Sequence, residues 1–385
     1  MNYSDIGITQ YATKSKGFDG KFKQQPEDFV VQEILTDGTV ASLEPDSGHR
    51  TPDTGSEYIH FTLVKRDWNQ DTILHRLSRF CGVSRKRLTY AGTKDKFALT
   101  AQRIAAWKLP AEKLANFKTK DVKIGDFSPA EKSLDLGDLW GNRFIIKITG
   151  VENPEAAADS CNKTFKELGK LGGLPNFFGE QRFGMRYNNH LVGKYLLQEK
   201  VEGAVKEFLT ATNDEELPEG KAKREELAKK WGDFKDVGQF PKFMRFENAL
   251  INQLIQHPAD YVGAFKKLSK NLYKIFTHSY QSHIFNQLLS ERIKNKESLA
   301  GEGNLVGYDS DLTEKELIFL EKDGLTQKKL RIKQFPEASI SGGKRKWLAE
   351  IRNWGCEPGE NTVIVKFDLE KGAYATTLLR ELLKS

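Results

Sequence analysis

The sequence predicts an α+β protein of two domains, and three observations indicate this. Strand-like and helix-like segments alternate through roughly the first 190 residues, with turn-rich connections between them. From about residue 198 the sequence changes in character, with a stretch at 213–233 that is dense in Glu and Lys. An alternating, strand-like segment returns at 362–369. We therefore expect a second domain inserted into the first, with the C-terminal segment rejoining the first domain.

Hydrophobic periodicity places the elements. In 58–65 the apolar residues Ile59, Phe61 and Leu63 alternate with others, which is typical of a strand. Similar strand-like patterns predict further strands at 29–34, 101–107, 143–148 and 362–369. Apolar residues at helical spacing predict a helix that Asp71 can cap and that runs to Cys81. They also predict helices at 156–171, 279–293 and 376–383.

The predicted domain limits follow from these changes in periodicity and charge along the sequence. We predict that residues 1–197 and 346–385 form one domain and that 198–345 form the inserted domain. The first 20 residues are polar and are expected to form a loose arm. Residues 37–55 are rich in Gly, Asp, Ser and Pro, which predicts a long loop. The charged stretch 213–233 is typical of a solvated helical surface.

Composition limits the class of protein. The chain has 385 residues, enough for two cores, and its formal net charge of +7 suits a polyanionic partner. The three cysteines, Cys81, Cys161 and Cys356, are far apart and form no CxxC pair. A disulfide framework is therefore not expected, and a reducing compartment is.

Targeting and metal signals are not found in the sequence. The N-terminus lacks the apolar segment of a signal peptide, and no window reaches the roughly 18 apolar residues of a membrane span. The seven histidines form no HxxxH-type pair with a carboxylate, so no metal site is predicted. The expectation is a cytoplasmic protein that has no membrane association and no obligate protein partner.

One short segment has the residues for chemistry. Asp95 stands between Lys94 and Lys96, after a glycine and before a strand-like segment. A carboxylate on a loop fixed by regular structure can act as a nucleophile or a base, and flanking cations favour its charged form. From these three residues alone, a solvated charged turn is the favoured interpretation. Other segments of the chain decide between these two interpretations.

Four separated segments, 22–33, 91–102, 174–184 and 369–382, together resemble the TruD family of tRNA pseudouridine synthases. They occur in the family's order, and 279–286 (Ser-Tyr-Gln-Ser-His-Ile-Phe-Asn) is similar to a helix of its inserted domain. The resemblance implies a pseudouridine synthase catalytic domain with a mostly antiparallel mixed sheet, plus an inserted TruD-specific α/β domain. It also implies isomerisation of a uridine in tRNA, expected at position 13, without cofactor or metal.

The resemblance assigns the catalytic pair. Asp95 matches the family's one catalytic aspartate, and Lys23 matches a basic residue expected to pair with it. A carboxylate beside the glycosidic carbon can attack that carbon, stabilise its developing charge, or remove a proton from the neighbouring sugar carbon. The sequence leaves covalent attack and proton abstraction both open. From its own surroundings Lys23 reads as a surface lysine before a strand.

The resemblance also implies which residues contact the substrate nucleotide. Phe178 matches the aromatic residue that stacks on an extruded base, and Asn176 matches an asparagine that orients the aspartate or the nucleotide. Phe29 and Tyr374 match aromatic positions that border the nucleotide, although phenylalanine is expected in place of Tyr374 in some relatives. Each has a structural alternative: an Asx turn at Asn176, strand core at Phe29, and an ordinary aromatic before the last helix at Tyr374.

Several basic residues have two interpretations each. Lys94 and Lys96 are predicted either to contact the RNA backbone or to lie in solvent, and Arg85–Arg87 either to face phosphates or to be an exposed charged run. For the whole chain, the alternative is a catalytically silent RNA-binding or RNA-chaperone protein of the same fold. A phosphate-loop enzyme is disfavoured because the spacing G-x-x-x-x-G-K-[ST] is not met around Lys94.

Overall fold

A computed structural model describes residues 2–48 and 56–384. The chain forms two compact units. The sheet unit consists of Thr13–Leu174 and Ala349–Ser385, and the helical unit consists of Met1–Ala12 and Pro175–Leu348. The helical unit therefore interrupts the sheet unit in sequence.

The strands and helices are numbered along the chain. The strands are β1 (Phe29–Ile34), β2 (Tyr58–Arg66), β3 (Leu88–Tyr90), β4 (Leu99–Trp107), β5 (Val122–Ala130), β6 (Gly141–Thr149), β7 (Leu174–Pro175), β8 (Glu302–Leu305), β9 (Gly343–Lys346), β10 (Leu348–Ala349), β11 (Ile351–Gly359) and β12 (Thr362–Glu370). The α-helices are α1 (Gln70–Phe80), α2 (Ala111–Ala115), α3 (Pro154–Leu171), α4 (Asn189–Leu197), α5 (Val201–Thr210), α6 (Pro218–Lys229), α7 (Phe234–Val237), α8 (Arg245–Gln256), α9 (Tyr261–Phe265), α10 (Lys270–Lys294), α11 (Glu314–Lys322) and α12 (Ala375–Leu383). The strands and helices predicted from periodicity are confirmed, although Asn69, not Asp71, caps α1.

One mixed sheet organises the sheet unit. Its order is β11-β12-β6-β1-β4-β2-β5, and β3 also pairs with β4. Among the described pairs β1 and β4 run parallel, and the others are antiparallel. This confirms the predicted α+β class with a mostly antiparallel sheet.

The inward face of this sheet packs against helices. Alternation along β1 turns Phe29 and Val31 into a core shared with Phe144 and Phe367, and with α3 and α12. Alternation along β2 turns Phe61 and Leu63 into a second core, shared with α1. The cross-strand register pairs Lys65 with Thr100 and Leu63 with Gln102, so the inward rows of β2 and β4 lie side by side.

Close helix packing holds the helical unit together. Gly193 on α4 lies against α10, where an added Cβ would come within 2.2 Å of the Phe276 carbonyl oxygen. A side chain at this position would therefore push the two helices apart. The described strands β8 and β9 form a small antiparallel pair in this unit.

The unit limits differ from the predicted domain limits of 197/198 and 345/346. Residues 175–197 group with the helical unit because α4 packs on α10. The assignment of catalytic and inserted domains to these units stays a prediction. Within the predicted loop 37–55, residues 37–48 form only an isolated bridge, Val40 to Ile34, and residues 49–55 lie outside the described residues.

One local prediction is wrong, and another holds with one exception. The expected loose N-terminal arm is packed: Ile6 and Ile8 are buried, and Asn286 donates to the Ile6 carbonyl at 2.9 Å. The solvated helical surface expected at 213–233 is confirmed in α6, where most residues are not buried. Arg224 is an exception, because it is buried and ion-pairs with Glu216 and Glu247. The N-terminal residues are packed because their partner Asn286 lies far along the chain, where local sequence does not reveal it. As for membranes, no described helix combines the length and apolar character needed to cross a bilayer.

Candidate active site

The Asp95 segment connects β3 to β4 in the sheet unit. Main-chain and side-chain hydrogen bonds fix its course: Gly137 donates to the Ala91 carbonyl at 2.8 Å, and the Lys94 amide donates to Gln70 Oε1 at 2.8 Å. Gln102 on β4 donates to the Gly92 carbonyl at 3.1 Å. The segment is therefore hydrogen-bonded to α1, to β4 and to the chain near residue 137, and it is not a solvated turn without tertiary contacts.

Lys23 reaches Asp95 as predicted. Its Nζ lies 2.8 Å from Asp95 Oδ2, and the two side chains are 24% and 31% exposed. The backbone of Lys23 is left-handed, with φ of 59°, a conformation that is uncommon for residues other than glycine. The ammonium also lies 4.0 Å from the centroid of the Phe29 ring, a cation–π contact. Lys23, Asp95 and Phe29 therefore form one cluster in which the carboxylate stays accessible.

Lys94 departs from both predictions made for it. Its side chain is 3% exposed, and its Nζ pairs with Glu33 Oε2 at 2.6 Å, where the Glu33 side chain is fully buried. Glu33 follows Phe29 and Val31 in the inward row of β1, so its carboxylate is buried and needs a cation as partner. The prediction that Lys94 contacts RNA or solvent is wrong, whereas Lys96 is exposed and its role stays a prediction.

Lys65 is a second buried cation beneath the segment. Its Nζ donates to the Asp95 carbonyl oxygen at 2.5 Å, and the residue is fully buried. Burial lowers the pKa of Lys65 from 10.5 to about 8; attraction to Asp95 opposes this shift and repulsion from Lys94 adds to it. Sequence reasoning missed Lys65, although its phase in β2 was a usable signal, since it continues the inward row of Phe61 and Leu63.

Phe29 and Tyr374 occupy different surroundings in the sheet unit. Phe29 is buried and meets Phe144 edge-to-face with ring centroids 6.0 Å apart, as strand core would. Tyr374 is half-buried at the N-cap of α12, where its carbonyl accepts from Thr377 Oγ1 at 2.7 Å. Its place before the last helix matches the structural alternative, and a contact with the nucleotide stays a prediction for both residues.

In the helical unit, Phe178 is held by α10. Asn286 accepts from the Phe178 amide at 2.8 Å and donates to the Phe178 carbonyl at 3.0 Å. The ring meets Phe285 edge-to-face at 5.7 Å and is only 7% exposed. Ser279 and Ser282, on the same helix, bind the Arg182 carbonyl and guanidinium at 2.6 and 3.1 Å. The polar residues of 279–286 therefore fix the Phe178 segment.

Arg345 joins Phe178 to Asn176. Its guanidinium lies 4.0 Å from the Phe178 ring centroid. Its Nε and Nη2 donate to the carbonyl and the side-chain Oδ1 of Asn176 at 2.9 and 2.5 Å. Asn176 also donates to the Lys346 carbonyl at 3.1 Å and is 7% exposed. Its side chain is therefore held by residues distant in sequence, and not by the local Asx turn that was the structural alternative. Sequence reasoning missed Arg345, which stands in a polar stretch with no distinguishing pattern.

Comparison with known sequences identifies the family. The chain matches the sequence model described as tRNA pseudouridine synthase D (TruD) over residues 5–313 and 302–382, which includes the segments of Lys23, Asp95, Phe178 and Tyr374. The chain belongs to the TruD family.

Named relatives agree along nearly the whole chain. A "probable tRNA pseudouridine synthase D" from Methanosarcina acetivorans is 34% identical, over 98% of this chain and 96% of its own length. One from Methanopyrus kandleri is 36% identical, over 89% of this chain and 88% of its own length. A crystal structure from Methanosarcina mazei, named as tRNA pseudouridine synthase D (TruD), superposes with a TM-score of 0.81 at 33% identity. It covers 99% of this chain and 97% of that chain.

The TruD segments are distributed over both units. The sheet unit contains Lys23, Phe29, Asp95 and Tyr374, and the first three are in mutual contact through Lys23. The helical unit contains Asn176 and Phe178, which share Arg345. Two further basic features of this TruD chain have internal partners: Arg85 pairs with Asp71 at 3.0 Å, and the Arg87 guanidinium lies 5.0 Å from the Trp107 ring centroid.

Proposed function

We propose that Asp95 carries out the isomerisation of uridine to pseudouridine in this chain, with position 13 of tRNA as the expected target. Family membership makes the chain a tRNA pseudouridine synthase, an isomerase that acts on tRNA. One observation supports Asp95 in particular. It is a partly exposed carboxylate that accepts from Lys23 at 2.8 Å, and its carbonyl oxygen accepts from the buried Lys65. A positioned carboxylate that remains reachable suits chemistry at a sugar carbon.

The reaction conserves all atoms. The bond from ribose C1′ to uracil N1 breaks, the base rotates, and a bond from C1′ to C5 forms; C5 loses a proton and N1 gains one. Asp95 serves this sequence either by attacking C1′, which makes a covalent intermediate, or by removing the proton from C2′. Lys23 fixes the direction of the carboxylate and balances its charge in both alternatives.

The uracil has to leave the RNA stack to reach the carboxylate. Stacking of an extruded base on an aromatic ring contributes about 1–3 kcal/mol, and we propose Phe178 for this role. Because the Arg345 guanidinium lies 4.0 Å from the Phe178 ring centroid, a base has to displace it or use the opposite face. Asn176, Phe29 and Tyr374 are proposed to contact the same nucleotide, and tRNA is the proposed partner.

The test is Asp95→Asn, measured on unmodified tRNA. We expect loss of pseudouridine formation, because the amide is a poor nucleophile and base, while the dissociation constant for tRNA stays within about threefold, since the amide is isosteric. Uridine and pseudouridine have equal mass, so product is measured by primer extension after carbodiimide treatment. Asp19→Asn, an exposed aspartate of the sheet unit, is the matched control and should keep wild-type activity.

Two results would contradict the proposal. Near-wild-type product from Asp95→Asn would remove Asp95 from the chemistry. Binding of tRNA by the wild-type protein without any product would favour the catalytically silent RNA-binding alternative. Mapping pseudouridine in tRNA from cells with and without the gene tests position 13, since the site should lose its modification when the gene is absent.

A further inference from the structure

Lys65 occupies a position where the strand pattern calls for an apolar side chain. It follows Phe61 and Leu63 in the inward row of β2, and it is as fully buried as they are. A buried ammonium is costly to desolvate, and an alkyl side chain of similar size would avoid that cost. The presence of lysine here therefore indicates a role that an alkyl side chain could not fill.

The contact that Lys65 makes is specific. Its Nζ donates to the Asp95 carbonyl oxygen at 2.5 Å. Two other buried side chains bind the same segment: Gln102 donates to the Gly92 carbonyl at 3.1 Å, and Gln70 accepts from the Lys94 amide at 2.8 Å. These three contacts come from β2, β4 and α1, so the main chain on both sides of Lys94 is bound from the interior. Of the three side chains, Lys65 alone is ionised and alone binds residue 95.

We propose that Lys65 is a positioning residue for Asp95. It holds the Asp95 main chain from the interior of the sheet unit, while Lys23 holds the carboxylate at the accessible side. The proposal rests on the proposed function, in which Asp95 is the catalytic residue. The buried pair Glu33 and Lys94 supports it, because that ion pair fixes the neighbouring side chain inward and leaves Asp95 as the residue that faces outward.

The charges around Lys65 make this role dependent on pH. Asp95 and Asp67 attract its ammonium, and Lys94, itself paired with Glu33, repels it. Burial is the dominant influence and lowers the pKa of Lys65 to about 8. Above that pH the amine is neutral, and its hydrogen bond to the Asp95 carbonyl is weaker because charge-assisted bonds are about twice as strong as neutral ones.

The experiment uses Lys65→Met and Lys65→Gln in the full chain, with single-turnover rates on saturating enzyme. Methionine matches the alkyl part of the lysine side chain and removes the donor. A misplaced catalytic group can cost about 10²-fold in rate. Glutamine keeps a neutral N–H donor, so its rate should fall between methionine and wild type. The dissociation constant for tRNA should change by less than about threefold, because Lys65 does not reach the surface.

The pH profile separates positioning from stability. The wild-type rate should fall as pH rises through about 8, and this alkaline loss should be missing in both variants. Stability should change in the opposite direction. The unfolded chain holds the Lys65 proton up to about 10.5 and the folded chain only to about 8, so this group makes the protein more stable as pH rises between those values. A purely structural lysine would not lower the rate while stability rises.

Val64→Ala is the matched control. Val64 is the adjacent buried residue of β2, but it faces the opposite way, against Ala41 and Ala101. The Val64→Ala substitution should lower the melting temperature and leave both the single-turnover rate and its pH dependence unchanged. Wild-type rate and profile in Lys65→Met would overturn the proposal.

Other outcomes are also decisive. If Asp95→Asn is inactive while Lys65→Met behaves as wild type, the role of Lys65 fails and the proposed function stands. If Asp95→Asn stays active, both fail. If neither Lys65 variant folds, the wild-type profile decides: an alkaline loss near pH 8 supports the proposal, and a flat profile from pH 7 to 9 overturns it.

Discussion

The segment of Asp95 in the sheet unit is held by buried charged side chains as well as by Gln70 and Gln102. The main chain of the Phe178 segment in the helical unit is held by amide and hydroxyl groups of α10. Lys65, Lys23 and the Lys94–Glu33 pair surround Asp95. Asn286 binds the Phe178 main chain through its amide group. Two charged groups, Arg345 and Arg182, lie 4.0 and 5.6 Å from the centroid of the Phe178 ring. Charged side chains are costly to bury, and the contacts they make respond to pH. Amide and hydroxyl groups cost less to bury, and their hydrogen bonds respond less to pH. The two regions should therefore fail under different perturbations.

The largest effect is expected from breaking the buried ion pair. Lys94→Met leaves the Glu33 carboxylate fully buried without its cation, which typically costs about 3–5 kcal/mol of unfolding free energy. The double variant Glu33→Gln/Lys94→Met should recover much of that loss, because no unpaired charge remains. Urea unfolding of the single and double variants measures both. A cost below about 1 kcal/mol for Lys94→Met would show that ionic support matters little in the sheet unit.

Acid should affect the helical unit through two histidines. His190 and His283 stack with ring centroids 4.4 Å apart. Burial lowers the pKa of His190 to about 3 and that of His283 to about 4. The unfolded chain takes up these protons near pH 6.5, so stability is present above 6.5 and is lost as pH falls towards 3 or 4. The loss at pH 5 is on the order of 2 kcal/mol for each histidine.

Melting temperatures measured between pH 7 and 5 test this prediction. His190→Phe keeps an aromatic ring in the stack and removes one titrating group, so its melting temperature should change less with pH than that of the wild type. An unchanged slope in this variant would assign the acid sensitivity to other groups.

The neutral support in the helical unit depends on Asn286. Asn286→Ala removes the partners of the Phe178 amide and carbonyl and of the Ile6 carbonyl. A buried polar group left without a partner costs about 1–3 kcal/mol, and nearby water can reduce the total. We expect a loss of about 2 kcal/mol by urea unfolding, with the same loss at pH 6 and pH 8. A pH-dependent loss would contradict the contrast between the two regions.

The smallest effect is expected from Arg345→Lys. Lysine keeps the charge but loses the guanidinium contact with the Phe178 ring and the forked contact with Asn176. Losing one charge-assisted hydrogen bond of this kind corresponds to about tenfold in rate, with little change in stability. Single-turnover kinetics measure the rate, and Lys344→Arg, an exposed neighbour, is the control. An unchanged rate would remove Arg345 from the support of Phe178.

Local pattern determined much of this protein. Alternation and helical spacing predict the strands and helices because each element buries one face. Its apolar residues therefore recur in the sequence with the period of a strand or a helix. The segments around Lys23, Asp95, Phe178 and Tyr374 identify the TruD family, and the Lys23–Asp95 contact predicted from them is present at 2.8 Å.

Tertiary structure alone decided which polar residues are buried. Lys94 and Lys96 look alike in sequence, yet one pairs with Glu33 in the interior and the other is exposed. The N-terminal residues pack because Asn286, far along the chain, binds them. Such contacts depend on partners distant in sequence, and the free energy of burying a charge depends on whether that partner is in place. Sequence order alone does not report this.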